Sequence, residues 1–283
     1  MAANNLRVVY QNLSDAATIT ASSTASSGTT TANLKLDTKS LVWRSVGTTA
    51  TLTVTLAASN IVGGIILPFC NLTSLATIRA RGYSGSAGAG TLLFDTSTIN
   101  ACPYQPLGQW AWGSIPLGLN TYAYGGGTYA RAWLPGNTQT ACLSLVIDIA
   151  DTTNTAGYIE VSRLLVGAYW SPKYNTSFGL STTVKDLSTH QRSESGDLVT
   201  NRGIRYNTMN FDLKWLPPED RNEFSKIVRG SGLPKPIFIS LFPNDADTGK
   251  EQVHQIYGKL SQLGGLSHPI LEMYSTTIDI EEV

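Results

Sequence analysis

The side chains able to do chemistry are few and scattered. His190, His254 and His268 show no HxH or HExxH spacing, so neither a metal set nor a base beside a nucleophile is written locally. Cys70, Cys102 and Cys142 are odd in number and lack CxxC spacing. They read as buried free thiols, not as a disulfide framework or a zinc site. No GxSxG elbow activates any of the serines. The GSAGAG run at 85–90 lacks the Lys-Ser/Thr of a phosphate loop and leads into a strand, which argues against nucleotide binding. Glycoside hydrolysis needs two carboxyl groups across a cleft. Asp15, Asp37, Asp95, Asp148, Asp151 and Glu160 are the acids available in the first 168 residues, and no spacing pairs them. Residues 244–249, NDADTG, offer oxygens but lack the spacing and terminal Glu of a calcium loop, so they read as a polar turn. The catalytic and metal assignments are therefore none, and the chain reads as a non-enzyme.

The densest group of ligand-capable side chains is aromatic. Residues 102–135 carry Tyr104, Trp110, Trp112, Tyr122, Tyr124, Tyr129 and Trp133 between prolines and glycines. Flat rings on a loop can stack on sugar faces. They can equally close the open end of a β-sandwich or anchor a protein interface. The candidate carbohydrate-binding residues are Trp110, Trp112, Tyr122, Tyr124, Tyr129 and Trp133.

The elements that would carry these residues are mostly strands. Leu52, Val54 and Leu56 alternate with threonines, and Arg79 and Arg81 share one face of a strand over 77–83. Residues 61–69 form a nearly continuous apolar run, consistent with a buried strand. Two more strands fall at 141–150 and 157–166, and Leu6, Val8 and Tyr10 suggest an entering strand. Residues 18–33 are small and polar and read as a loop or irregular edge. The clearest unit is 203–242, a strand, a helix and a second strand. Met209, Phe211, Leu213 and Trp215 alternate with polar residues up to Pro217 and Pro218, which suit a helix's first turn. Phe224, Ile227 and Val228 form one apolar helix face, and Gly230 is the expected stop. A closing strand is expected over 270–280.

Composition bounds the rest. The 283 residues carry 20 basic and 20 acidic side chains, so no basic surplus points to nucleic acid. Residues 1–170 hold 8 basic and 6 acidic side chains, leaving 12 and 14 for the remainder. That shift, beside Ser171-Pro172, places a domain boundary near 168. The N-terminus lacks a signal-peptide pattern and no apolar run reaches membrane-spanning length, so synthesis in a cytoplasm without membrane insertion is expected.

Two resemblances run through the chain. The order Asn33-Leu34, Asp37, Trp43-Arg44-Ser45, a Thr-rich strand, an apolar strand, Asn71-Leu72-Thr73 and Ile78-Arg79-Ala80-Arg81-Gly82-Tyr83-Ser84 resembles the galactose-binding-like jelly roll of discoidin-type domains. In that family the Trp packs under the sheet, and a calcium ion often sits near the segment matching Asp37. No cofactor is assigned here, calcium resting on the resemblance alone. The stretch Val166-Gly167, Trp170-Ser171-Pro172, Gly179, Asp186-Leu187-Ser188, Arg192-Ser193-Glu194-Ser195-Gly196 and Arg202-Gly203-Ile204-Arg205 is similar to distal tail or baseplate proteins of long-tailed bacteriophages. There a tail-tube-like β-sandwich with one flanking helix forms a ring. In many of them the ring domain comes first; here the order is reversed.

The resulting expectation is an all-β protein: a jelly roll over 1–168, then a tail-tube-like ring-forming domain over 169–283 with one helix at about 217–229. It would be a virion tail component that assembles with itself as a trimer or hexamer and contacts tail tube and baseplate hub proteins. The jelly roll would offer a surface for tail fibres or a host glycan. Strands 203–215 and 270–282 would supply edges and faces for the neighbouring copy, with Arg205, Met209, Phe211, Trp215 and Tyr274 at the interface. The alternatives are a carbohydrate-binding receptor-recognition protein of a tail fibre and a capsid decoration protein.

Overall fold

The computed structural model describes residues 5–102, 128–245 and 248–283. The chain is all-β, as expected. Its first half contributes β2 (Thr18–Ala21), β3 (Trp43–Arg44), β4 (Thr49–Val62), β5 (Gly64–Cys70), β6 (Thr77–Tyr83), β7 (Leu92–Asp95), β8 (Ile99–Asn100), β9 (Thr128–Trp133), β10 (Thr140–Ala150), β11 (Glu160–Val161) and β12 (Leu165–Gly167). One sheet runs β2-β4-β10-β6-β7, with β8 also on β6. The other runs β12-β5-β11-β3, with β9 also on β5. Leu52, Val54, Ile78 and Ile147 from the first sheet meet Ile65, Leu67, Ala130 and Val161 from the second in one core. Trp43, wholly buried, lies in that core.

The second half forms another sheet. It contains β13 (Ser181–Asp186), β16 (Arg205–Leu216), β17 (Ile237–Ser240), β18 (Gln255–Leu260), β19 (Ser267–Ile270) and β20 (Met273–Glu282). The order is β1 (Arg7–Val9), β17, β18, β20, β16 and β13, with β19 on β20. The entering strand β1 therefore pairs with β17 and not with the first half. Three residues of alternation cannot name their partner strand. β14 (Thr189–Arg192) and β15 (Leu198–Asn201) make a separate two-stranded ribbon.

Helix α1 (Pro218–Ser231) begins at the expected prolines, and Phe224 and Ile227 pack into the second core beside Phe211, Leu213 and Ile278. The helix passes through Gly230. Gly232, at φ 57° and ψ −153°, ends it instead, in a backbone conformation open to glycine. A second short helix, α2 (Thr248–Val253), was not expected, and it takes up Thr248 and Gly249 from the run read as a polar turn.

The apolar run at 61–69 is two strands rather than one. The chain leaves the six-stranded sheet at Val62 and enters the five-stranded sheet at Gly64. Every residue of β5 is buried because the sheet is covered on both faces. Ile65 and Leu67 face the first core, while Ile66 and Phe69 face a third cluster with Phe238 and Tyr257 from β17 and β18. β17 is buried on both faces for the same reason, with Ile237 and Ile239 in the second core and Phe238 in the third. The five-stranded sheet and the β17–β18 region thus lie back to back across an aromatic seam.

Candidate functional site

The seam accounts for two of the six aromatic candidates. Tyr129 and Trp133 lie on β9, 6% and 5% exposed. Trp133 meets Tyr169 edge-on at 5.6 Å and Phe238 at 6.3 Å, and Tyr129 meets Phe69 at 5.5 Å. Their ring faces are covered by protein, so neither is offered to a sugar. This corrects their reading as a stacking platform, and the cause is the strand: β9 turns these side chains toward β17 and β18. Gly64 makes the approach possible, since a Cβ there would sit 2.5 Å from the Trp133 ring. Trp110, Trp112, Tyr122 and Tyr124 lie outside the described residues.

Charged groups weld the seam. The Arg7 guanidinium, 2% exposed, sits 4.6 Å from the ring centroids of both Trp133 and Tyr169 and donates to Asn137. Burial lowers its pKa from the usual arginine value. Arg131 on β9 makes a two-pronged pair with the wholly buried Glu251 of α2, at 2.9 and 2.7 Å. Arg163 reaches Asp15 at 2.8 Å and Asp37 at 3.1 Å, and its Nε donates to the Tyr257 hydroxyl. Tyr257 in turn donates to Asp37 at 2.6 Å. Burial raises the Tyr257 and Asp15 pKa values, with Arg163 opposing both shifts. The Tyr129 hydroxyl donates to Glu282 at 2.8 Å. The buried members of these pairs, Arg7, Arg163 and Glu251, have no signature in the sequence, where an isolated Arg or Glu defaults to the surface.

The remaining acids of the first half are also held. Asp95 is bound two-pronged by Arg79, which draws its pKa below the usual carboxylate range. Asp148 pairs with Arg81, Glu160 with Arg44, and Asp151 accepts from the Thr73 backbone and hydroxyl. No group of three or more His, Cys, Asp or Glu side chains capable of holding a metal occurs among the described residues. The three cysteines are buried and form no disulfide among the described residues.

The expected interface residues divide. Met209 and Phe211 are buried in the second core and cannot face a neighbour. Tyr274 is half-buried under Arg221 and stacked on His268. Arg205 is exposed and paired with Asp186. Trp215 is 47% exposed because the β16–β20 register slips between Leu213 and Leu216. The slip turns Leu216 inward in place of Trp215.

The expected edges are corrected too. β16 lies between β20 and β13, and β20 lies between β18 and β16, so both are interior strands. The strand order of this sheet ends at β1 and β13, and β19 is a further outer strand paired with β20. β1 is capped by Trp170, which exchanges two backbone hydrogen bonds of 2.9 Å with Val8. β13 has no strand on its outer side among the described residues.

From β13 onward the chain runs out as an arm. From Ser181 to Arg205 every residue is exposed except Ser188 and Ser193, which are half-buried. The arm carries Val184, Leu187, Leu198, Val199 and Ile204, 46–70% exposed. At its root Gly203 crosses Leu187 so closely that a Cβ would lie 2.3 Å from the Leu187 carbonyl carbon. Asp186 pairs with Arg205 at 2.8 Å. Hydrogen bonds from Ser188, then Arg205, draw the Asp186 pKa down to about 2.

No protein-family model matches the chain, and no curated protein matches it in sequence. Solved structures that share part of its chain path include a GH29 fucosidase from Ruminococcus gnavus in complex with fucose, at 11% identity and TM-score 0.38. That match covers 58% of this chain and 27% of the fucosidase, so it spans about a quarter of that enzyme's length. Chitosan-binding module 1 from a Paenibacillus sp. IK-5 chitosanase/glucanase matches at 15% identity and TM-score 0.36, covering 56% of this chain and 99% of the module. The family 32 carbohydrate-binding module of NanJ from Clostridium perfringens, in complex with galactose, matches at 12% identity and TM-score 0.36, covering 58% and 99%. Likeness of this degree assigns no ligand to the present chain.

Proposed function

We propose that this chain is a structural component of a bacteriophage tail tip or baseplate, assembling with itself into a ring through its second half. The first half is then displayed for fibre attachment or a weak host-glycan contact. One observation carries the assembly reading: the exposed arm rises from β13, a sheet edge with no strand on its outer side among the described residues. A two-stranded ribbon is marginal in water by itself, and the exposed apolar side chains spread along the arm call for cover. A strand edge without a partner is a template for another chain. A second copy supplies both at once, and head-to-tail repetition of such a contact closes into a ring. The sequence resemblance over 167–283 supplies the tail location. The welded seam fits the role, since a rigid body holds a displayed module at a fixed angle to the ring.

The test is negative-stain microscopy of the purified full-length protein. Rings with outward knobs are expected. Single particles of one size at micromolar concentration would overturn the reading.

A further inference from the structure

We infer that the outer face of the six-stranded sheet is a binding groove for a neutral, hydroxyl-rich oligosaccharide. The inference rests on the reading of the first half as a glycan-contact module and gives that module a location away from the aromatic loop. The groove has a volume of about 410 Å³ and is lined by Thr49, Thr51, Thr77, Arg79, Thr98 and Asp148, among others. Strand register explains its shape. Thr49, Ala150 and Thr77 stand side by side on β4, β10 and β6, and two residues along, Thr51, Asp148 and Arg79 form the next row. Ala150 leaves a low floor between two hydroxyls, while the neighbouring row stands taller as a wall. From Ser22, just past β2, to β6 the groove crosses four strands, about 14 Å at the usual strand spacing. That suits a short oligosaccharide better than a single ring.

The chemistry selects the ligand class. Each cation is matched: Arg79 by Asp95 at 3.0 and 2.5 Å, and Arg81 by Asp148 at 2.5 Å. The site therefore has no surplus charge for an anion or a metal ion. Its lining has no aromatic residue, and the side chains of Ile78 and Ile149 are buried in the first core, which leaves little apolar surface for a lipid or peptide. It offers fixed donors and acceptors instead. Asp148 is held by Arg81 at one oxygen and by the Thr51 hydroxyl, at 2.8 Å, at the other, yet each carboxylate oxygen keeps a further lone pair. Arg79 uses Nε and Nη2 on Asp95, and its Nη1 makes no bond among the described residues. The hydroxyls of Thr49 and Thr98 make none either. Groups already locked by their neighbours lose little freedom on binding. Binding at one groove is weak, and a ring of copies multiplies it.

The experiment is affinity electrophoresis of the full-length protein in gels containing dextran, galactan or mannan. Retardation by at least one polysaccharide is expected. Ala150→Phe, which fills the floor without removing a polar group, and the double substitution Thr49→Val with Thr98→Val should each weaken retardation at least tenfold. Their circular dichroism and oligomeric state should remain those of the parent. If the parent is retarded and these variants stay within twofold of it while Trp110→Ala with Trp112→Ala abolishes binding, the groove assignment is overturned and the glycan reading survives. If no polysaccharide retards the parent, both fall, and the assembly reading is untouched.

Discussion

Stability at the residue scale is concentrated where charge is buried. Glu251 is wholly inaccessible and held by Arg131. Removing one partner of such a pair strands the other, at a cost of about 3–5 kcal/mol. Glu251→Ala should lose that much in urea unfolding, whereas the double replacement Arg131→Met with Glu251→Leu should lose clearly less. Equal losses in both would contradict the geometry. Trp43→Ala should cost about 3–5 kcal/mol by the cavity it leaves in the first core. Trp43 was legible in advance because its place in the order of motifs resembles a jelly-roll core position. Arg7, Arg131 and Arg163 were not, because nothing local distinguishes a buried arginine from a solvated one. Tyr129 and Trp133 looked like surface aromatics for a related reason: the side of the strand they occupy is decided by a sheet more than 100 residues away in sequence.

Elements with strong periodicity were readable, and those without it were not. The strand, helix and strand over 203–242 appear as β16, α1 and β17, with Met209, Phe211 and Leu213 inward as their alternation requires. The alternation fails at Trp215, where a register slip that sequence cannot place reverses the faces. The short polar strands β2, β14, β15 and β19 were missed because an exposed or edge strand carries no apolar alternation. The threonines of β4 and the arginines of β6 were seen on their own faces. That β10 lies between them, making one groove, depends on long-range pairing. For the arm, two outcomes follow. Replacing residues 188–202 with a short turn should leave the cores intact, with an unchanged thermal midpoint, but abolish self-association in sedimentation. Asp186, lowered to about 2 in the folded chain, stabilises the arm's root above its unfolded pKa of ~3.9 and ceases to do so as pH falls toward its folded value. Exchange protection of the Leu187 amide, which donates to Ile204, should therefore decline as pH drops from about 4 toward 2. Asp186→Asn should flatten that dependence; an unchanged profile would exclude Asp186 as its source.

At the scale of the whole molecule, the three larger sheets lie in sequence, and the strand β5 at the centre of the middle one is buried on both sides. The first and last parts of the chain are tied by Arg131–Glu251, Arg163–Asp37–Tyr257 and Tyr129–Glu282, so the two halves should melt together. One calorimetric transition is expected, and two well-separated ones would show that the seam does not couple the cores. The second half leaves exposed an arm and the outer edge of β13, and the account stands on their being covered by another copy. Sedimentation equilibrium of the full-length chain, whose protomer mass is 30.3 kDa, tests this most directly. The account predicts a single species at three or six protomer masses that the arm replacement reduces to one. A parent chain that sediments at one protomer mass across the micromolar range would contradict it.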